Sequence, residues 1–362
     1  MNNEKFRNSN IELLRIISII LIIFSHFCVH QNFPQLTINN VSFQTFLTQI
    51  GHFGCIGNHI FIIITGYFLI EKKFNIKKII KLILEMLFYS VLIGIICLII
   101  HNNINIKEIF KILFPIFWGN WFVIYYILLF LISPFLNIFI KNVSKVEYRF
   151  FLALCILIVF FIPSFTLNVW NFNDHTVFVI DYFIGAYIKL YFDFEKWSNI
   201  KIKESLFIVI FIYIFLALLL VFLSMITNNI IFYKYICYII GTNYSIFSLI
   251  LGILLFLYFL TRKNFYNKYL NYISGSVLGI YLIHENNYMR EILWKIFLPI
   301  ERYIFTPSFY IILFIKVVGI FSGCLLIDII RRILFEKLEN KISVYFASLL
   351  KYFFNKIKKF FE

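Results

Sequence analysis

The residues of this chain that could do chemistry are few and lie inside long apolar runs. In LLRIISIILIIFSHF (13–27) an arginine, Arg15, is followed eleven residues later by a histidine, His26. On a helix that spacing is about 16 Å of rise, and eleven steps of about 100° bring the two side chains to within about 20° of one face. A guanidinium is a forked donor suited to phosphate, and an imidazole is the side chain best able to take a proton from a hydroxyl near neutral pH. One stripe of one helix thus carries an anion-binding group and a base. Both are costly against lipid, so the stripe is expected to face a bundle interior. The plain alternative is that Arg15 snorkels to headgroups beside Glu12 while His26 caps the span.

Other polar groups recur at the depth of His26. His59 lies near one end of the second apolar run, Asn120 and Trp121 near the start of the fourth, Asp181 in the sixth, and His284 in the ninth. Convergence from five runs marks a chamber, or else a hydrogen-bond network without chemistry. Asp181 needs a partner at that depth, a histidine or a substrate. Asp328 and Glu85 lie nearer the opposite boundary and read as structural, satisfied by water or Lys81.

These residues must be positioned by membrane helices. Hydrophobic residues make up 62% of the chain, aromatic ones 21% and charged ones 14%, far from soluble usage. Several runs reach the roughly 20 apolar residues that cross a bilayer, and none shows the alternation of a β-barrel strand. The expected fold is all-α: a polytopic transmembrane helix bundle of about ten spans, at 12–30, 54–71, 80–101, 117–140, 149–164, 176–192, 205–226, 244–261, 273–294 and 309–331. A nine-span version follows if 149–164, which ends at Pro163, does not cross.

The net charge of +15 follows the membrane rather than a nucleic acid. With a cytoplasmic N-terminus, Lys72, Lys73, Lys77, Lys78 and Lys81, then Lys141, Lys145 and Arg149, then Lys196, Lys201 and Lys203 all fall on inside connections. Both termini are therefore expected in the cytoplasm. Residues 1–335 read as one integral membrane domain and 336–362 as a basic amphipathic interfacial tail, with Ile342, Phe346, Leu349, Phe353, Ile357 and Phe360 at helical spacing. The six cysteines are scattered singly and read as packing residues. No HExxH or comparable ligand set occurs, so no metal is expected.

Taken in order, several segments resemble the acyltransferase-3 family of membrane O-acyltransferases. Arg15 and His26 resemble its Arg-x10-His first helix. FIIITGYFLI (61–70) and KKFNIKKIIK (72–81) resemble its second helix and basic entry to the third, with Thr65 where serine is more usual. GNWFVIYYILLFLISPFL (119–136), DYFIGAYI (181–188) and SGSVLGIYLIH (274–284) resemble its fourth, sixth and ninth elements. The soluble esterase-like domain of longer relatives is not seen, so the membrane part would complete the transfer.

The resemblance implies transfer of an acyl group, most often acetyl, from cytoplasmic acyl-CoA to a hydroxyl of a surface polysaccharide or its lipid-linked precursor, in a bacterial cytoplasmic membrane. In that reading His26 is the base, with His284 and Asp181 sharing the catalytic work. Arg15, Lys77, Lys78 and Lys81 would meet the CoA phosphates, and His59, Asn120, Trp121 and Tyr281 would line the acceptor site. Acyl-CoA is a co-substrate and no tightly bound cofactor is implied; the partners are acyl-CoA, a glycan and lipids. The rival class is a transporter or flippase of a lipid-linked glycan, which would move substrate without forming an ester and would favour Gly/Pro-broken helices in paired halves.

Overall fold

A computed structural model of the chain describes residues 7–31, 33, 47, 51, 53–101, 106–167, 172–227, 231–232, 235, 238–239, 241–297 and 300–361. Among these residues every regular element is helical. The principal helices are α1 (Ser9–His30), α2 (Gly54–Leu69), α3 (Ile76–His101), α4 (Trp121–Asn142), α5 (Lys145–Ile156), α6 (Asp174–Tyr191), α7 (Asn199–Thr227), α8 (Ile246–Thr261), α9 (Lys268–Ser274), α10 (Val277–His284) and α11 (Ser308–Phe361). Six helical stretches are long and apolar enough to cross a membrane: α1, α3 (as Ile76–Cys97), α4, Lys145–Thr166, α7 and α11. Two shorter apolar helices, α2 and α8, lie among them.

The hub is α2, which packs against α6, α1 and α8. Gly66 and Gly185 make the α2–α6 contact possible. A methyl group on Gly66 would stand 2.2 Å from the Tyr182 carbonyl oxygen, and one on Gly185 would stand 2.2 Å from that of Ile63. Small residues let two membrane helices approach backbone to backbone, so the Thr-Gly-Tyr and Phe-x-Gly-x-Tyr elements are two sides of one contact. Gly185→Ala should lower the melting temperature of the detergent-solubilised protein and its membrane level, at a cost of about 1–3 kcal/mol or more, because a carbonyl cannot rotate away. Gly319→Ala, where nothing lies within 4 Å of an added methyl, is the control and should leave both unchanged.

The fifth run is longer than its sequence span. Ser144 and Glu147 form a reciprocal capping box that starts α5 at Lys145, and a wide π turn (Leu157–Phe161) leads into Ile162–Thr166. Pro163 has no N–H to give to the preceding turn, and the wide turn absorbs that loss.

The ninth run is not one helix. It breaks between α9 and α10 at Gly275–Ser276, where Arg332 Nη1 donates to the Tyr272 carbonyl (2.8 Å) and to Ser276 Oγ (3.1 Å). The chain turns again after His284: Asn286 caps a short helix, Asn287–Glu291, followed by a π turn, Ile292–Ile296. Gln31 and the buried Lys316 both donate to the Trp294 carbonyl, at 2.6 and 2.9 Å, tying this segment to α1 and α11.

α11 runs unbroken for 54 residues, through position 335, so the tail continues the last long helix. In it Phe346 and Phe353 are exposed; the side chains of Ile357 and Phe360 lie outside the described residues. Glu85 finds a different partner from the expected water or Lys81: Arg331 Nη2, 3.0 Å away. Arg331 also meets Asp328 (2.9 Å), and Tyr89 donates to Asp328 (2.7 Å). The network joins α3 to α11 and supports the structural reading of both acids. Five cysteines are free thiols; Cys237 lies outside the described residues.

Candidate active site

His26 stands one turn before the C-terminus of α1, with His30 a turn further on. The break after α10 brings His284 and Glu285 to them. His26 Nδ1 lies 3.1 Å from His284 Nε2 and 3.0 Å from Glu285 Oε2. His30 Nε2 is 3.1 Å from the same carboxylate oxygen, and Arg290 Nη2 is 2.6 Å from the other.

The donors and acceptors fix the tautomers of the neutral rings. His284 Nδ1 lies 2.7 Å from the Ile280 carbonyl oxygen, which only accepts, so its hydrogen is on Nδ1 and its Nε2 is bare. That bare nitrogen and the carboxylate both call for a hydrogen on His26 Nδ1. His26 Nε2 is left with its lone pair, and the residue lines a cavity of about 400 Å³. Trp121, Tyr281, Asn58, Asp174 and Asn243 line the same cavity. A histidine oriented through one nitrogen by a carboxylate, with the other nitrogen bare, is arranged to remove a proton.

His26 Nδ1, His284 Nε2 and a Glu285 oxygen lie within 4.8 Å of one another and are a possible ligand set for a metal ion. Their contacts of 3.0–3.1 Å are shorter than the edge of about 3.3 Å spanned by nitrogen ligands about 2.0–2.1 Å from a tetrahedral zinc. Glu285 is moreover engaged by Arg290. A tetrahedral zinc does not fit the three atoms as placed, which are within hydrogen-bonding distance of one another.

Of the residues singled out in the sequence, the structure brings together His26, His284, Trp121 and Tyr281. Asp181 does not join them. It is fully buried against His59, Oδ2 to Nδ1 at 2.8 Å, and this pair cross-links α2 to α6 away from the cavity lining. Asp181 therefore has the histidine partner its depth requires; neither it nor His59 is on the cavity wall, and His59 lies near enough behind it to act on the Asp174 carboxylate. Asn120 opens on a separate cavity of about 170 Å³ with Tyr89, Lys111, Trp118 and Asn286. Glu285, His30, Asp174, Asn58 and Asn243 were not singled out. The signal for His30 was there: an i, i+4 pair with His26 on one helix face.

At the other end of α1, Glu12 is held by Arg7 through two contacts of 2.6 Å and by the Ser274 hydroxyl. Arg15 reaches the same carboxylate only at 3.4 Å, so most of its fork is uncommitted. Lys78 and Lys72 face the same region, and Lys78 is repelled by both Lys72 and Arg15. Lys77 is exposed and Lys81 half-buried.

Several helices long and apolar enough to cross a membrane, with a histidine held by a carboxylate on a cavity wall, make a multi-pass membrane protein. A family model described as an acyltransferase domain matches residues 8–332, nearly the whole chain, and the chain belongs to the acyltransferase-3 family. No curated protein and no solved structure matches it. The protein is a membrane acyltransferase.

Proposed function

We propose that the protein moves an acyl group, most simply acetyl, from cytoplasmic acyl-CoA to a hydroxyl of a surface polysaccharide or its lipid-linked precursor. The observation that carries this reading is the bare Nε2 of His26, held by Glu285 and His284 at the wall of a cavity that has room for a sugar ring and a tryptophan to stack on it. His26 Nε2 takes the proton of the acceptor hydroxyl as its oxygen attacks the thioester carbonyl. The C–O bond forms, the C–S bond breaks, and the thiolate of CoA recovers the proton from His26. The products are an ester and CoA thiol, with no net proton released.

The donor enters from the Arg15 end, with the N-terminus in the cytoplasm. CoA phosphates supply the negative charge that Arg15, Lys72 and Lys78 lack, and α1 spans the distance from this cluster to the base. Arg15→Ala should raise the KM for acetyl-CoA about tenfold or more, the loss of one charge-assisted contact, and leave the acceptor KM unchanged. Thiol release measured against acetyl-CoA concentration checks this. An Arg15→Ala enzyme with unchanged donor KM removes Arg15 from the donor site.

The reading as a whole is tested by proton NMR of surface polysaccharide from a deletion strain with and without the restored gene. An O-acyl signal that returns with the gene supports it. Polysaccharide that fails to reach the surface, with acylation unchanged, supports the flippase instead.

A further inference from the structure

Three polar side chains of the cavity lining form a row of fixed direction. Asn58 Nδ2 donates to Asn243 Oδ1 (3.1 Å), and Asn243 Nδ2 donates to Asp174 Oδ1 (2.9 Å). Either amide alone could be turned around, but the row cannot. A carboxylate only accepts, so the amino group of Asn243 must face Asp174. The carbonyl of Asn243 then faces Asn58, which must offer its own amino group. Asp174 is the first residue of α6; burial pushes its carboxyl up from the usual range, while the Asn243 amide, the nearby His59 and the helix dipole favour the ionised form.

The consequence lies at the two ends of the row. Among the described residues nothing donates to the second oxygen of Asp174 or to the carbonyl oxygen of Asn58. Both ends present acceptors, and all three residues line the cavity with His26 and Trp121. Of the neighbouring groups, Tyr244 spends its hydroxyl on the Phe172 carbonyl at 2.9 Å, while Ser25, Trp121 and Tyr281 bring hydroxyl and indole donors to the lining.

Building on the acyltransferase reading, we infer that the Asp174–Asn243–Asn58 row is the acceptor-recognition subsite, and that it selects an uncharged, hydroxyl-bearing sugar over a uronate or a phosphosugar. Two hydroxyls of the sugar donate to Asp174 and Asn58 while the ring lies on Trp121. This fixes which remaining hydroxyl reaches His26 Nε2, so Asp174 governs both affinity and position of acylation. An anionic substituent at this wall meets the Asp174 carboxylate and is rejected by its like charge.

The test uses full-length protein in detergent with acetyl-CoA, de-O-acylated polysaccharide from the deletion strain as acceptor, and methyl glucoside or methyl glucuronoside as competing inhibitor. Wild type should be inhibited by the glucoside in preference to the glucuronoside. Asp174→Asn keeps the shape but replaces one acceptor by a donor. It should raise the acceptor KM about 10- to 100-fold, the loss of a hydrogen bond to a charged group, leave the acetyl-CoA KM unchanged, and erase the preference between the inhibitors. Asn58→Leu should raise the acceptor KM in the same direction by a smaller factor, with membrane levels of both variants matched to wild type.

Equal inhibition of wild type by the two glycosides overturns the inference, as does a wild-type acceptor KM in Asp174→Asn. A His26→Ala enzyme that releases thiol at the wild-type rate is a different failure: it removes the acyltransferase mechanism, and this subsite with it.

Discussion

His26→Ala should leave the protein inserted and abolish acyl transfer. A positioned general base contributes about 10²- to 10⁴-fold to rate, and His284 is not placed to substitute, since it directs its Nε2 at His26 and its Nδ1 at the Ile280 carbonyl; His30, held through Nε2 by the same Glu285 oxygen, is the other imidazole on the cavity. The stability cost should be small by comparison, since His26 is only partly buried and its lost partners, Glu285 and His284, keep Arg290, His30 and Ile280. Thiol release from acetyl-CoA by membranes of matched protein content measures the rate, and the O-acyl signal of the polysaccharide measures the product. His284→Ala should be the milder change, because Glu285 still holds the Nδ1 hydrogen of His26. If His26→Ala retains more than about a tenth of wild-type turnover, which is well above what loss of a general base allows, the proton is removed by something else.

How much of this was legible in the sequence depends on whether the information was local. The stripe of α1 was, because helix periodicity is fixed: Arg15 and His26 share a face by spacing alone. The all-helical membrane class was also legible, from composition. What escaped were features decided where elements meet or end. His284 was visible as the last residue of an apolar run, but the run was read as continuing to 294. Its breaks at Gly275 and after His284 are made by Arg332 on α11 and by the Asn286 cap, and the second break delivers Glu285 beside His26. A carboxylate at the end of an apolar segment gives no sign of which histidines it will meet.

Asp181 shows the same limit from the other side. Its need for a partner followed from its depth, and a histidine was among the candidates. That the histidine would be His59 depended on the close approach at Gly66 and Gly185, which two separate Gly-Tyr elements do not announce. Asp174, Asn58 and Asn243 come from three different chain regions, and only the folded chain puts them in one row.

Glu285→Gln should reduce turnover almost as severely as loss of the base, and the form of the loss separates positioning from mere structure. The carboxylate accepts from three groups: His26 and His30 on one oxygen and Arg290 on the other. Glutamine has one accepting oxygen, so its amino group must point at a donor, either Arg290 or the imidazoles. If it points at the imidazoles, the Nδ1 hydrogen of His26 loses its acceptor and the ring is free to present the wrong nitrogen to the cavity. A fall in kcat of about tenfold or more is expected, with the KM for acetyl-CoA unchanged because the proposed donor site at Arg15 lies about 16 Å away along α1. Added to His26→Ala, Glu285→Gln should cost nothing further, since groups acting as a unit are not additive. A purely structural Glu285 would instead lower melting temperature and activity by the same factor in either background. Glu285→Ala is the harsher variant, leaving Arg290 without its carboxylate; there the Glu285→Ala/Arg290→Gln double variant should recover membrane level but not turnover, because it restores charge balance and not the acceptor that orients His26.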